Sequence, residues 1–82
     1  MSETGHDLQA LFPAQRETLH ALKLESAHYR ELADRHHALA LEISRIESGL
    51  EAASDERLEE AKKQRLGILD EIADMIAERQ DA

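Results

Sequence analysis

Residues 22–47, with the sequence LKLESAHYRELADRHHALALEISRIE, contain the pattern that decides the fold. Apolar residues recur there at spacings of three and four, and neither glycine nor proline occurs from Ala14 to Ser48. In one heptad register, equivalent positions hold Leu22, Tyr29, His36, Ile43 and Leu50, and companion positions hold Leu32, Leu39 and Ile46. This periodicity is typical of an amphipathic helix. Because Pro13 suits the first turn of a helix, the pattern predicts one continuous helix over about residues 13–48.

A second helix is predicted after a turn over residues 49–54. Gly49 suits the left-handed position that follows a helix, with Leu50 folding back onto the last turn. Ser54 or Asp55 suits the N-cap of the next helix, expected over about residues 55–79. Its apolar stripe consists of Leu58, Ala61, Ile68, Leu69, Ile72, Met75 and Ile76. Because Leu66 and Ala73 lie beside this stripe, the apolar residues cover a broad arc of the helix. Gly67 inside this helix costs about 1 kcal/mol relative to alanine, which a close approach or local flexibility would explain.

The composition agrees with helices and excludes several other classes of protein. The chain has 82 residues, enough for one small domain, and it contains no valine and no cysteine. Phe12 and Tyr29 are its only aromatic residues, so strands are disfavoured. We therefore predict an all-α fold, an antiparallel helical hairpin formed by residues 13–82. A flexible or partly helical lead over residues 1–12 is expected to precede it.

The unequal lengths of the two predicted helices indicate self-association. The first helix would be about 52 Å long and the second about 36 Å, leaving about 16 Å of the first without a neighbour. A homodimer of hairpins, forming a four-helix bundle or coiled coil, would cover this part. The candidate interaction or oligomer surface comprises Leu19, Leu22, Leu24, Tyr29, His36, Ile68, Leu69, Ile72, Met75 and Ile76.

Several short motifs follow a fixed order along both predicted helices. They are L-K-x-E at 22–25, an aromatic residue at Tyr29, D-x-H at 34–36, E-I-x-R at 42–45 and K-K-Q-R-L-x-x-x-D-E at 62–71. From Phe12 to Ile76 the sequence resembles the YdcH-like family of small bacterial proteins. The resemblance implies a helical hairpin, often self-associating, of the bacterial cytosol and of uncharacterised function, and it supplies no catalytic residues. Ala40, Ala61 and Leu69 depart from that pattern, where an acidic residue, a larger apolar residue and a lysine are usual.

The net charge of −8 argues against a general nucleic-acid binder, since neutralising phosphates needs an excess of lysine and arginine. The candidate basic patch is Lys62, Lys63 and Arg65, which acidic residues flank on both sides. Binding of RNA through this patch in a symmetric dimer is the alternative to protein binding. From Gly49 onward the chain holds ten acidic and five basic residues, so a basic partner surface would meet the second helix.

Four of the five histidines follow an acidic residue by three positions: the pairs are Glu3 and His6, Glu17 and His20, Glu25 and His28, and Asp34 and His37. Such pairs present metal ligands in helical bundles. The rotation of about 100° per residue spreads the three within the predicted helix around its axis, so each histidine is expected to pair with its carboxylate on a solvated face, and a metal-binding bundle is the least favoured alternative. His36 lies on the apolar stripe instead. There it either fixes the register as a buried polar residue or loosens the assembly when mildly acid pH protonates it.

No catalytic residue, cofactor or metal ligand is predicted. The sequence has no nucleophile paired with a base and no phosphate-binding glycine loop, and two helices form no cleft. Its start lacks the features of a secretory signal, and no apolar run approaches the roughly 20 residues that cross a bilayer. We expect a cytoplasmic, non-enzymatic protein. Its leading predicted function is self-association and docking of an unidentified protein partner by helix-in-groove contacts.

Overall fold

Helices account for nearly all of residues 6–81, the part of the chain that the structure, a computed structural model, describes. Side chains are described from residue 8 to residue 80. The elements are α1 (His6–Leu11), a 3-10 turn (Pro13–Gln15), α2 (Arg16–Glu25), α3 (Ala27–Glu47) and α4 (Asp55–Asp81). No strand occurs in this part of the chain, and the predicted all-α class is confirmed. None of these helices is long and apolar enough to cross a membrane.

The predicted continuous helix over residues 13–48 is wrong at two places. Residues Pro13–Gln15 form a 3-10 turn, and Ser26 separates α2 from α3. The backbone of Ser26 is extended, with φ −120° and ψ 113°, and its Oγ accepts a hydrogen bond of 3.0 Å from the Tyr29 N–H. A serine that caps a helix start in this way offers the backbone an alternative to continuing the preceding helix. Ser26 therefore ends one helix and starts the next without glycine or proline.

Residues 6–25, which we call the N-terminal arm, fold back against α3 and α4. Leu8, Leu19 and Leu22 of the arm are buried, and Leu8 is fully buried. They share one apolar cluster with α3 and α4, whose other members are Tyr29, Leu32, Ala33, Ile68, Ile72 and Ile76. Residues 1–5 of the predicted lead lie outside the described residues, and its remaining part is helical and packed. The predicted stretch of helix without a neighbour is therefore wrong for Leu19 and Leu22, because the break at Ser26 lets α2 pack inside the chain.

Ion pairs between the segments show how α3 and α4 are oriented. The Arg79 guanidinium donates to both carboxylate oxygens of Glu25, at 2.6 and 3.0 Å. His28 Nε2 lies 3.2 Å from a carboxylate oxygen of Glu71. Towards the turn, Glu42 pairs with Arg57 and Glu47 with Lys62. His28 near the start of α3 thus pairs with a later residue of α4 than Glu42 does, so α3 and α4 run in opposite directions.

The turn between α3 and α4 contains the left-handed glycine and the helix N-cap that the sequence predicts. Gly49 has a φ of +85°, the left-handed conformation expected of it, and its N–H donates to the Ile46 carbonyl at 3.2 Å. Ser54 caps α4, since its Oγ accepts a hydrogen bond of 3.1 Å from the Arg57 N–H. Leu50 is 82% exposed, so the prediction that it folds back onto the last turn is wrong.

Candidate interaction surfaces

Most of the ten residues predicted as an interaction surface form a core within the chain. Seven of them are buried: Leu19, Leu22, Tyr29, His36, Ile68, Ile72 and Ile76. Leu69 and Met75 are half-buried and pack against the same cluster. Leu24 alone of the set is exposed, at 69%. Residues of the N-terminal arm, α3 and α4 pack against one another in this core.

The molecule divides into two halves along α3 and α4. The arm-side half consists of residues 6–36 and 67–81, and the turn-side half of residues 37–66. Of the described side chains, ten are buried in the arm-side half and only two, Ile43 and Ala61, in the turn-side half. Neither of these two belongs to the large cluster. The turn-side half therefore has a narrow buried seam between two helices and little core beyond it.

Five leucines are strongly exposed, and three of them lie in the turn-side half. The exposed fractions are 54% for Leu11, 69% for Leu24, 44% for Leu41, 82% for Leu50 and 59% for Leu66. Leu39, Ile46 and Leu58 are half-buried there, and Leu39 packs against the large cluster. Neither Leu41 nor Leu66 was among the residues predicted as an interaction surface, although Leu66 lies on the broad apolar arc predicted for the second helix. A signal was present for Leu41, since it lies outside both positions of the heptad register.

A shallow, open face, which we call the groove, runs along the first half of α4 within the turn-side half, and all the residues that line it belong to α4. Four carboxylates and two lysines line it together with Leu66; the charged residues are Asp55, Glu56, Glu59, Glu60, Lys62 and Lys63. The groove thus combines an exposed leucine with a mainly acidic wall. A partner that places apolar side chains on Leu66 and basic side chains around it would match both features.

The candidate basic patch does not form one basic face. The Lys62 ammonium lies 2.9 Å from a carboxylate oxygen of Glu47, in an ion pair across the two helices. Lys63 is exposed, whereas Arg65 is half-buried. Because helical residues are about 100° apart, Lys63 and Arg65 point roughly 160° away from each other.

The predicted pairing of each histidine with the preceding acidic residue is wrong for Glu25 and His28, because each of them contacts a different residue. Glu25 binds Arg79 and His28 contacts Glu71, so both side chains reach across to α4. The pair Glu3 and His6 lies outside the residues whose side chains are described. Within the described residues, no three histidine or acidic side chains lie close enough to hold a metal ion. His36 is buried between Tyr29 and Ile43 on the stripe, as predicted, and its effect on assembly at acid pH stays a prediction.

Comparison with known proteins places the chain in a family. Residues 30–76 match the family described as "Protein of unknown function (DUF465)". The match covers more than half of the chain, including the entire turn-side half, and leaves out the N-terminal arm. Comparisons with curated proteins and with solved structures gave no match. The chain belongs to the DUF465 family, which includes the YdcH-like proteins and has no known function.

Proposed function

We propose that the protein is a non-enzymatic, cytoplasmic protein–protein interaction module. It works as a helical hairpin that self-associates and docks another protein against its turn-side half. The observation that carries this proposal is the contrast between the two halves. The arm-side half closes a core within the chain, whereas the turn-side half leaves Leu41, Leu50 and Leu66 exposed beside a seam of two buried residues.

The docking surface is the groove along α4, in which Leu66 supplies the apolar contact. Leu66 is exposed in the middle of α4, where its side chain offers an apolar contact to a partner. Interfaces commonly combine an apolar centre with a polar rim that selects the partner's charge. With Glu56, Glu59 and Glu60 in its wall, the groove favours an amphipathic helix that carries basic residues beside its apolar stripe.

The charged side chains support binding over catalysis. The ion pairs of Glu25, Glu42 and Glu47 each join two helices, so these carboxylates are engaged in contacts within the fold. The grooves at the surface are open and are lined by residues of one or two helices. A catalytic site needs groups held rigidly by a supporting layer of residues around a water-excluding space.

A matched pair of variants tests the docking surface. Leu66→Lys places a charge in the groove, and Leu11→Lys places the same charge on an exposed leucine of the arm. Both positions are exposed, so both variants are expected to fold with the thermal stability of the wild type. Proteins captured from the host by the wild type and cross-linked to it should be lost with Leu66→Lys and kept with Leu11→Lys. Equal capture by the two variants would contradict this surface.

Self-association is supported by the small size of the domain. A single core in a chain of this length nets only about 3–5 kcal/mol, so an intermolecular contact adds a large share of stability. The alternative of RNA binding through Lys62, Lys63 and Arg65 is weakened by the ion pair of Lys62 with Glu47 and by the acidic groove. A salt-dependent gel shift with single-stranded and duplex RNA tests that alternative, and metal analysis of untagged protein tests a metal-binding bundle.

A further inference from the structure

We propose that two copies of this chain associate by exchanging their N-terminal arms, residues 6–25, across a hinge at Ser26. In the exchanged form α2 and α3 join into one straight helix, and each arm packs on α3 and α4 of the other copy. This inference rests on the proposed self-association and specifies its geometry. It is carried by the backbone at Ser26, the apolar register across it and the burial of the arm.

The hinge is a single residue that is free to become helical. Ser26 is extended, but serine readily adopts helical backbone angles, and neither glycine nor proline lies nearby. Two local hydrogen bonds hold the bend: the Tyr29 N–H donates to Ser26 Oγ, and the Arg30 guanidinium donates to the Lys23 carbonyl at 2.8 Å. A straight helix would replace them, because the N–H groups after Ser26 would donate to the carbonyls of Lys23, Leu24 and Glu25. The Tyr29 N–H and the Lys23 carbonyl therefore have hydrogen-bond partners in both conformations.

The apolar register also fits both conformations. Leu22 lies before the break, and Tyr29, His36 and Ile43 follow it at intervals of seven residues. All four side chains are buried, so the stripe continues across Ser26 without a change of phase. If the chain always bent at Ser26, the heptad positions before and after Ser26 would not need to stay in phase. A straight α2–α3 helix keeps one apolar face along its whole length.

The arm carries buried leucines that another surface must cover once α2 and α3 have joined into a straight helix. Leu8, Leu19 and Leu22 are buried in the closed chain, and they would enter water if the arm moved away from α4. The same movement would uncover Ile72 and Ile76 on α4. A second copy offers surfaces identical to those just separated, so every contact is made again between chains. The bidentate pair of Arg79 with Glu25 would likewise form between copies.

Three variants shift the hinge in known directions, and a fourth serves as the control. Ser26→Ala removes the cap and favours the straight helix, so the dimer should bind at least about tenfold more tightly. Ser54→Ala is the matched control, because it removes the same kind of cap at the start of α4, away from the hinge. Ser26→Gly keeps a capping residue but disfavours a helix interior, so the dimer should weaken at least about fivefold. Ala27→Pro places proline at the first position of α3, where it is tolerated, and forces the preceding residue to stay extended.

The experiment measures molar mass by size exclusion with light scattering, over a range of concentrations, for the wild type and all four variants. We expect Ala27→Pro to be monomeric with unchanged helicity, and Ser54→Ala to dimerise like the wild type. A folded Ala27→Pro variant that dimerises like the wild type would overturn arm exchange and leave self-association standing. Wild type and Ser26→Ala that are both monomeric throughout would overturn self-association itself. If Ala27→Pro loses helicity by circular dichroism, Ser26→Gly decides: a weaker dimer supports arm exchange, and an unchanged one overturns it.

Discussion

The arm-side and turn-side halves are built from the same two long helices, yet only one of them completes a core. In the arm-side half, residues from α1, α2, α3 and α4 meet in one cluster around Leu32 and Ile72. In the turn-side half only Ile43 and Ala61 are buried among the described side chains. The Ser54 cap, the turn at Gly49 and two ion pairs between the helices also stabilise this half. The difference teaches that a helix pair of this size is stabilised at one end and remains available for contacts at the other.

The comparison predicts that core truncations differ strongly between the halves. Ile72→Ala removes a fully buried side chain of the arm-side cluster and should lower the free energy of unfolding by about 2–5 kcal/mol. Leu66→Ala in the turn-side half should change it by no more than about 0.5 kcal/mol, since Leu66 is exposed. Urea denaturation followed by circular dichroism measures both. Similar losses at the two positions would contradict the division into halves.

The arm itself is predicted to contribute to stability. Leu8 is fully buried although it lies in a short helix near the start of the described residues. Leu8→Ala should therefore lower the free energy of unfolding by about 2–4 kcal/mol. Leu11→Ala is the matched control on the same helix, where the side chain is exposed and the expected change is within about 0.5 kcal/mol. A Leu8→Ala variant as stable as this control would show that the arm does not pack as described.

The caps that align the turn-side half should have intermediate effects. Ser54→Ala leaves the Arg57 N–H without its capping oxygen and should lower the free energy of unfolding by about 1 kcal/mol. Ser54→Asp restores an acceptor and adds a negative charge favourable to the helix start, so it should recover most of the loss. Thermal unfolding by calorimetry measures both. No loss with Ser54→Ala would contradict the cap.

Substitution of Gly67 should change the free energy of unfolding by about as much as Ser54→Ala does, but in the stabilising direction. A Cβ built at Gly67 meets no atom within 4 Å, so nothing within the described residues requires glycine there. Gly67→Ala should raise the free energy of unfolding by about 1 kcal/mol through helix propensity. The close approach considered from the sequence is not found among the described residues. A Gly67→Ala variant that is less stable, or whose dimer is weaker, would place an intermolecular contact at this position.

The smallest effect is expected from the ion pair that ties the arm to α4. The carboxylate of Glu25 and the guanidinium of Arg79 are both more than a third exposed, so water and salt screen their attraction. A double-mutant cycle with Glu25→Gln and Arg79→Gln should give a coupling free energy of no more than about 1 kcal/mol, falling as salt rises. A coupling that does not fall with salt would mean that the pair is more shielded than its exposure indicates.

The sequence predicted the local features of the fold and missed one that depends on distant contacts. The second helix, the left-handed Gly49 and the Ser54 cap follow from residues within a few positions of each other. The break at Ser26 could not be predicted from the pattern, because a serine cap is worth about 1 kcal/mol and the heptad register continues through it. Burial of Leu8 by α3 and α4 settles that small difference in favour of the bend.

The candidate surface was only partly predictable for the same reason. The sequence pattern identifies the apolar stripes that include Leu22 and Ile72. It does not determine whether the chain's own arm or a second chain packs against them. Exposure of Leu66 becomes evident only when the arm is seen to end short of the turn-side half. A pattern of seven-residue repeats thus specifies an apolar face and leaves its partner open.

Sedimentation equilibrium of the untagged wild-type protein tests the central claim, self-association, most directly. The chain has a mass of 9.3 kDa. We predict that the weight-average mass rises with concentration from this value towards twice this value, as in a monomer–dimer equilibrium. A mass of 9.3 kDa at every concentration, up to the limit of solubility, would contradict the account.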